Sequence, residues 1–170
     1  MHAQTIIGLD VGRSAAKARA FANGQEFELT FPSLVCHAIA LSDENSIRTA
    51  EPETIVVEGR RYFTGDTARL QGGVTSSAGL SHDWTETQAY QALVLSTLKR
   101  LARMGVSGLE SPCILVGTPA ALYGKQRERL EELTRKAAPT CRCKSTVATD
   151  GRLSFVLSEQ EGISYFRKYD

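Results

Sequence analysis

Residues Ile6 to Ala18, IIGLDVGRSAAKA, constrain this chain more than any other stretch: an apolar run ends at Asp10 and Gly12 and resumes just before Lys17. Two such runs around a tight reversal predict paired strands whose turn faces an anion. Gly12 gives access to a positive φ, so the main-chain N–H groups of Arg13, Ser14 and Ala15 can point outward to phosphate oxygens. Lys17 adds a mobile positive charge. Asp10 repels phosphate directly, but its carboxylate can hold a hydrated Mg²⁺, which prefers oxygen ligands and keeps several waters. Taken alone, the same residues also make an ordinary Asp-x-Gly hairpin turn, so the rest of the chain has to decide.

Strands are predicted at residues 5–10, 15–22 and 25–31, with Asn23-Gly24 as a two-residue hairpin turn between the latter two. Pro32 then leaves the sheet. Residues 42–52 are polar and read as an irregular surface excursion within a small insert. Residues 54–58 and 60–64 flank Gly59 and read as a short hairpin or bulged pair; Asp66 to Leu70 is one short helix, and Gly72-Gly73 with residues 76–81 form a flexible return. Thr85 and Gln88 have the capping-box spacing, and Tyr90, Val94, Leu98 and Leu101 follow at helical intervals until Gly105. A strand over 113–116 precedes a helix over 120–137, in which Leu122, Leu130 and Leu133 form an apolar stripe and Glu132 stands four residues before Lys136. Pro139 closes that helix. Asp150-Gly151, between strand-like residues 145–149 and 152–157, is a second type I′ hairpin signal rather than a second phosphate loop. A parallel return through helices to a sheet that begins antiparallel predicts a mixed α/β fold.

The chain's 170 residues suit one domain with a sizeable core. With 20 Lys and Arg against 19 Asp and Glu, charge favours neither nucleic acid nor an anionic membrane as a direct partner. No segment reaches the ~20 apolar residues of a membrane span, and the first apolar run lacks a basic lead and is broken by Asp10, so the expected location is cytoplasmic. Cys36, Cys113, Cys141 and Cys143 make no disulfide framework. Cys141-Arg142-Cys143 offers two metal ligands, but no second pair or histidine doublet completes four. His37 and His82 lack ligand spacing and read as surface or packing residues, Ser33 has no nucleophile context, and Trp84 and Tyr90 read as core anchors. The charges of residues 124–136 read as a solvated helix face.

Three further segments occur in a telling order. Phe31-Pro32-Ser33-Leu34-Val35 resembles the segment after the third strand in actin, Tyr62-Phe63-Thr64-Gly65-Asp66-Thr67-Ala68 is similar to the YVGDEA segment of the same family, and Leu115-Val116-Gly117-Thr118-Pro119 resembles its strand-ending Gly-x-Pro. With the Gly12 to Lys17 wording, the chain looks most like the ParM/StbA branch of the actin-like ATPases, and the resemblance covers the first half of that family's fold. It implies a ribonuclease-H-like actin-type ATPase domain: a mixed sheet with antiparallel N-terminal strands and flanking helices. Residues 1–31 and 76–170 are expected in the sheet-bearing part and 32–75 in a small inserted subdomain, with the family's second domain absent from the chain.

The resemblance further implies Mg²⁺ and ATP as cofactors. Gly12, Arg13, Ser14 and Lys17 are expected at the phosphates and Asp10 at the metal; actin carries Ser where this chain has Arg13, which leaves open which group meets the terminal phosphate. Glu159, three residues before Gly162, best matches the family's water-positioning residue, with Gln160 in reserve; as a first-turn acid after Ser158 it also fits simple helix capping. In a complete protein the implied function is ATP-driven filament assembly that moves plasmid DNA through an adaptor, with self-association as the direct contact. The isolated chain is expected to be catalytically incompetent. Two other readings are a non-catalytic domain that binds or caps filaments and a sugar- or acetate-kinase-like domain of the same superfamily.

Overall fold

The computed structural model describes residues 4–72, 87–119 and 123–148. Its main sheet has the order β3-β2-β1-β7-β8. β1 (Ile6–Val11) is central and nearly continuous in apolar residues, as a strand covered on both faces must be. β2 (Ala15–Ala22) pairs antiparallel with β1 and with β3 (Gln25–Pro32), while β7 (Cys113–Pro119) and β8 (Arg142–Ala148) continue the sheet in parallel. The predicted hairpin turn is present, with φ of 51° at Asn23 and 75° at Gly24, the two left-handed residues that a type I′ turn requires.

β2 explains how the sheet takes its helices. Ala16, Ala18, Ala20 and Ala22 alternate along it and are all buried, so one face offers only methyl groups and α3 (Gln88–Arg103) can approach closely. Tyr90, Leu93, Val94 and Leu101 of α3 enter the same core as Ile7, Leu9, Ile114 and Val116, together with Leu130 and Leu133 of α4 (Tyr123–Ala137). Burial of one such leucine contributes about 1.5–3 kcal/mol. The Tyr90 hydroxyl keeps a partner in Thr134 at 3.3 Å. Gly105 follows α3 at φ 91°, the left-handed residue expected past a helix end.

A second sheet, β4-β6-β5, is built from β4 (Val35–His37), β5 (Thr54–Val57) and β6 (Arg60–Thr64). The hairpin between β5 and β6 turns on Glu58 at φ 49° and Gly59 at φ 78°, a two-residue turn without a bulge. α2 (Gly65–Gly72) follows it. α3 joins the sheets: Ser96 Oγ lies 2.8 Å from Thr64 Oγ1, and the Arg100 guanidinium pairs with Glu53 while lying 4.3 Å from the Phe31 ring centre.

Four expectations need correction. Residues 42–52 are ordered: α1 (Glu44–Ala50) starts at Asp43, whose carboxylate accepts from Ser46 N–H at 2.8 Å, and a 3₁₀ turn (Glu51–Glu53) follows. The Asp43 cap and the Glu44–Arg48 pair support a helix that has almost no apolar stripe. β4 was not expected at all; its three residues are fixed by pairing with β6, where Val35 lies opposite Thr64. Thr87, not Thr85, is the N-cap of α3, because the Gln88 carboxamide accepts from the Tyr62 hydroxyl and donates to Glu58 at 2.6 Å. β8 starts at Arg142 instead of 145, extended by the alternation of buried Cys141 and Cys143 with exposed Arg142. Leu122, residues 73–86 with His82 and Trp84, and the Asp150-Gly151 turn lie outside the described residues.

Candidate functional site at the turn after the first strand

The turn between β1 and β2 closes through one main-chain bond, from Gly12 N–H to the Ala15 carbonyl at 3.1 Å. Gly12 does not adopt a left-handed φ, contrary to expectation. What the position needs is space: a Cβ there would stand 3.1 Å from the Ala15 carbonyl oxygen and 4.0 Å from an Asp10 carboxylate oxygen. The closing bond draws the two backbones so near that a Cβ between them fits only if the Ala15 carbonyl gives by a few tenths of an ångström. Arg13, Ser14 and Lys17 are exposed around this turn and Asp10 is half-buried at its mouth.

Strand register places Asp10 opposite Lys17 and Lys17 opposite Thr30, so the three form one row across β1, β2 and β3 on the face opposite the Leu9, Ala18 and Leu29 row. Burial pushes the Asp10 carboxyl above its ordinary value and Lys17 draws it only partly back. A carboxylate whose desolvation is incompletely compensated favours a cation with its water shell, so the residue fits the Mg²⁺ role. Among the described residues no three His, Cys, Asp or Glu side chains gather as a metal cage. A cation at Asp10 is therefore of the kind that one carboxylate, waters and ligand phosphates hold together. Glu159 and Gln160 lie outside the described residues.

Several features were missed by sequence reasoning. The carbonyl of Ser14, inside the turn, accepts from Ser33 N–H at 3.1 Å and ties residues 31–35 to the turn. The Ser33 and Thr118 hydroxyls are fully buried and have no hydrogen-bond partner among the described residues. Thr118 follows Val116, which pairs with Leu9, so it sits at the same end of the sheet as Asp10. A strand-ending threonine beside Pro119 was the only available signal. A separate groove of about 490 Å³ lies along the β3 edge, lined by Leu29, Glu53, Thr67, Leu70, Arg100 and Met104 among others; none of the turn residues reaches it. There the Glu53 carboxyl is pushed up by burial, but Thr67 N–H and the Arg100 guanidinium outweigh this and hold it below its ordinary value.

Among the described residues no helix is long and apolar enough to cross a membrane. No curated protein matches the chain. Among solved structures, the filament of AlfA from the B. subtilis plasmid pLS32 superposes with a TM-score of 0.65 at 13% identity, over 91% of this chain and 60% of AlfA. A non-polymerisable quadruple mutant of pCBH ParM gives 0.57 at 21% identity, over 76% of this chain and 38% of the ParM. An AlfA filament bound to AMPPNP gives 0.54 at 16% identity, over 93% and 58%. The chain thus spans 60% or less of the length of each of these proteins, and at such identities the likeness is one of fold. The family described as actin-like proteins, N-terminal domain, matches residues 8–148, well over half of the sequence, and the chain belongs to that family.

Proposed function

We propose that this chain is the N-terminal, nucleotide-binding half of a bacterial actin-like ATPase that assembles filaments for plasmid segregation. Gly12, Arg13, Ser14 and Lys17 meet the phosphates of ATP, Asp10 holds hydrated Mg²⁺, and residues 32–75 form a small subdomain inserted into the sheet-bearing one. The observation that carries this reading is the Asp10–Lys17 cross-strand pair beside a turn closed so tightly at Gly12 that a Cβ there would stand 3.1 Å from the Ala15 carbonyl oxygen. An AlfA filament has been solved with AMPPNP bound, which supports the nucleotide assignment by kinship. Bound Mg²⁺ supplies charge neutralisation at the phosphates; the chain's own residues position them.

In the complete protein Glu159 orients the attacking water. Water alignment in such a site depends on fixing the substrate from both sides, so these 170 residues alone hydrolyse no ATP and bind it weakly. Losing contacts worth ~4 kcal/mol weakens binding about a thousandfold. The reading is tested by titrating the chain with Mg·ATP under NMR and by phosphate release. Weak binding with shifts centred on residues 10–17, abolished by Asp10→Ala in a chain of unchanged circular dichroism, is the expected result. Binding that Asp10→Ala leaves untouched, or shifts confined elsewhere, would overturn it.

A further inference from the structure

The outer edge of β3 carries main-chain groups that no described strand takes up, because β3 is the last strand of the main sheet. Ser33 N–H donates to the Ser14 carbonyl, and that bond lies in register with the β2–β3 ladder. Bonded pairs alternate along an antiparallel ladder, so Phe27, Leu29 and Phe31 direct their N–H and C=O groups to β2, while Glu26, Glu28 and Thr30 direct theirs outward. Pro32, which has no N–H, closes this outward row at one end, and the Asn23-Gly24 turn closes it at the other.

The two faces of the edge differ. Leu29 shares its face with Phe31, under the Arg100 guanidinium, and there lies the groove of about 490 Å³ whose wall comes from α2 and the end of α3. The charges of that wall are turned on one another: Arg100 pairs with Glu53, Arg69 with Asp66, and Arg103 stands 3.7 Å from Glu51. What it leaves to a ligand is apolar, Leu29 together with Leu70 and Met104, which are 73% and 44% exposed. On the opposite face Arg19 pairs with Glu26 and stands 3.6 Å from Glu28. Two carboxylates thus share one guanidinium, and Lys17, the next cation on that face, is opposite Asp10.

We propose that this edge receives an extended segment of a partner protein, added antiparallel to β3 as a further strand, in which apolar residues facing the groove alternate with basic residues facing Glu26 and Glu28. Successive side chains point to opposite faces of a strand, so one segment meets the apolar groove and the excess negative charge only in that pattern. Main-chain bonds hold the segment and the alternation selects it. Acidic side chains and a proline blunt an edge against indiscriminate pairing. A second copy of this chain brings the same two carboxylates and the same proline to the seam, whereas a basic segment is drawn to them.

The test is fluorescence anisotropy of a labelled hexapeptide of alternating valine and lysine, titrated with the full chain; its length matches residues 26–31. One peptide is bound per chain, hydrogen exchange slows at the Glu26, Glu28 and Thr30 amides, and the valine–glutamate counterpart is not bound. Glu28→Lys, which turns a cross-strand attraction into a repulsion, weakens binding about 5–30-fold. Leu70→Ser weakens it about tenfold. Both side chains are exposed, so neither substitution touches the core. N-methylation of the peptide amides that face β3 abolishes binding, a readout that needs no variant to fold. Absence of binding, equal binding of the glutamate peptide, binding that survives N-methylation, or exchange protection at β4, β5 or β8 instead would each overturn the proposal. A dimer in sedimentation that the hexapeptide dissociates would give the edge to a second copy and overturn it too. Asp10→Ala leaves peptide binding unchanged, so this proposal and the nucleotide reading fail separately.

Discussion

Replacing Arg100 by methionine removes the charge that ties α3 to the 3₁₀ turn before β5 while keeping a long apolar stem in the groove. The Arg100 and Glu53 side chains are 23% and 14% exposed, so their pair lies between two regimes. Exposed pairs contribute about 0.2–1 kcal/mol, and removing one partner of a buried pair costs about 3–5 kcal/mol. The cation–π contact with Phe31 adds about 1 kcal/mol. A loss of about 2–3 kcal/mol follows for Arg100→Met, or about 5–10 °C in Tm at about 2–4 °C per kcal/mol for a chain of this size. Urea and thermal unfolding of wild type, Arg100→Met, Glu53→Gln and the double variant provide the assay, and the cycle should return a coupling of at least about 1 kcal/mol. Acid supplies an independent check. The Glu53 carboxyl is held below 4.5, so the unfolded chain binds the extra proton first and the Glu53 contribution is lost as pH falls from 4.5 through the folded value. Additive single variants, or a wild-type advantage over Glu53→Gln that persists undiminished below that window, would refute the reasoning.

Asp10→Asn should stabilise the ligand-free chain while removing Mg²⁺-dependent nucleotide binding: burial raises this carboxyl, so the folded chain holds its proton longer and loses stability as pH rises through and above 3.8. A gain of about 1 kcal/mol at neutral pH, about 2–4 °C in Tm, is expected in differential scanning calorimetry; a lower Tm would contradict it. Gly12→Ala forces a Cβ to within 3.1 Å of the Ala15 carbonyl and should open the turn, weakening Mg·ATP binding more than folding, as read by paired titration and unfolding measurements. Tyr90→Phe removes a hydroxyl held by Thr134, which keeps its own bond to the Leu130 carbonyl at 2.7 Å, so the cost should stay near 1 kcal/mol in urea unfolding.

What could be read in the sequence was local. The alternation in β2 and β3, the Asn23-Gly24 turn and the stripe of α3 each declare themselves within one element, because side-chain periodicity and turn stereochemistry act over a few residues. The turn residues were legible for the same reason, since Asp10 to Lys17 are contiguous and their register follows from the hairpin. β4 was not legible, because three residues have no periodicity of their own and depend on Thr64, Phe63 and Tyr62 opposite them. The groove at the β3 edge is the extreme case: it joins side chains from position 29 to position 104, and no local pattern reports such a meeting. Gly12 shows a subtler limit, in which the expected positive φ is absent and the constraint at the position is one of room. Glycine can answer a demand for φ or a demand for room, and sequence does not distinguish them.

The Phe31-Pro32-Ser33 segment that carried the family resemblance has a mechanical explanation in the structure. Phe31 is buried and supports the Arg100 guanidinium. Pro32 ends β3, the edge strand of the main sheet, where a residue without a donor is tolerated. Ser33 gives its N–H to Ser14, and Leu34 gives its carbonyl to Gly65 N–H at 2.9 Å. Gly65 sits at φ 62°, and a Cβ there would meet Arg100 Nη2 at 2.6 Å, so this glycine answers both demands at once. Two successive residues are thus pinned by main-chain bonds, one to the turn after β1 and the other to the head of α2. Side chains at 33 and 34 can vary without breaking either bond, whereas the path of the backbone cannot. The segment is recognisable because it fixes where the second sheet sits relative to the turn after β1, and that geometric duty is independent of any chemistry its side chains perform.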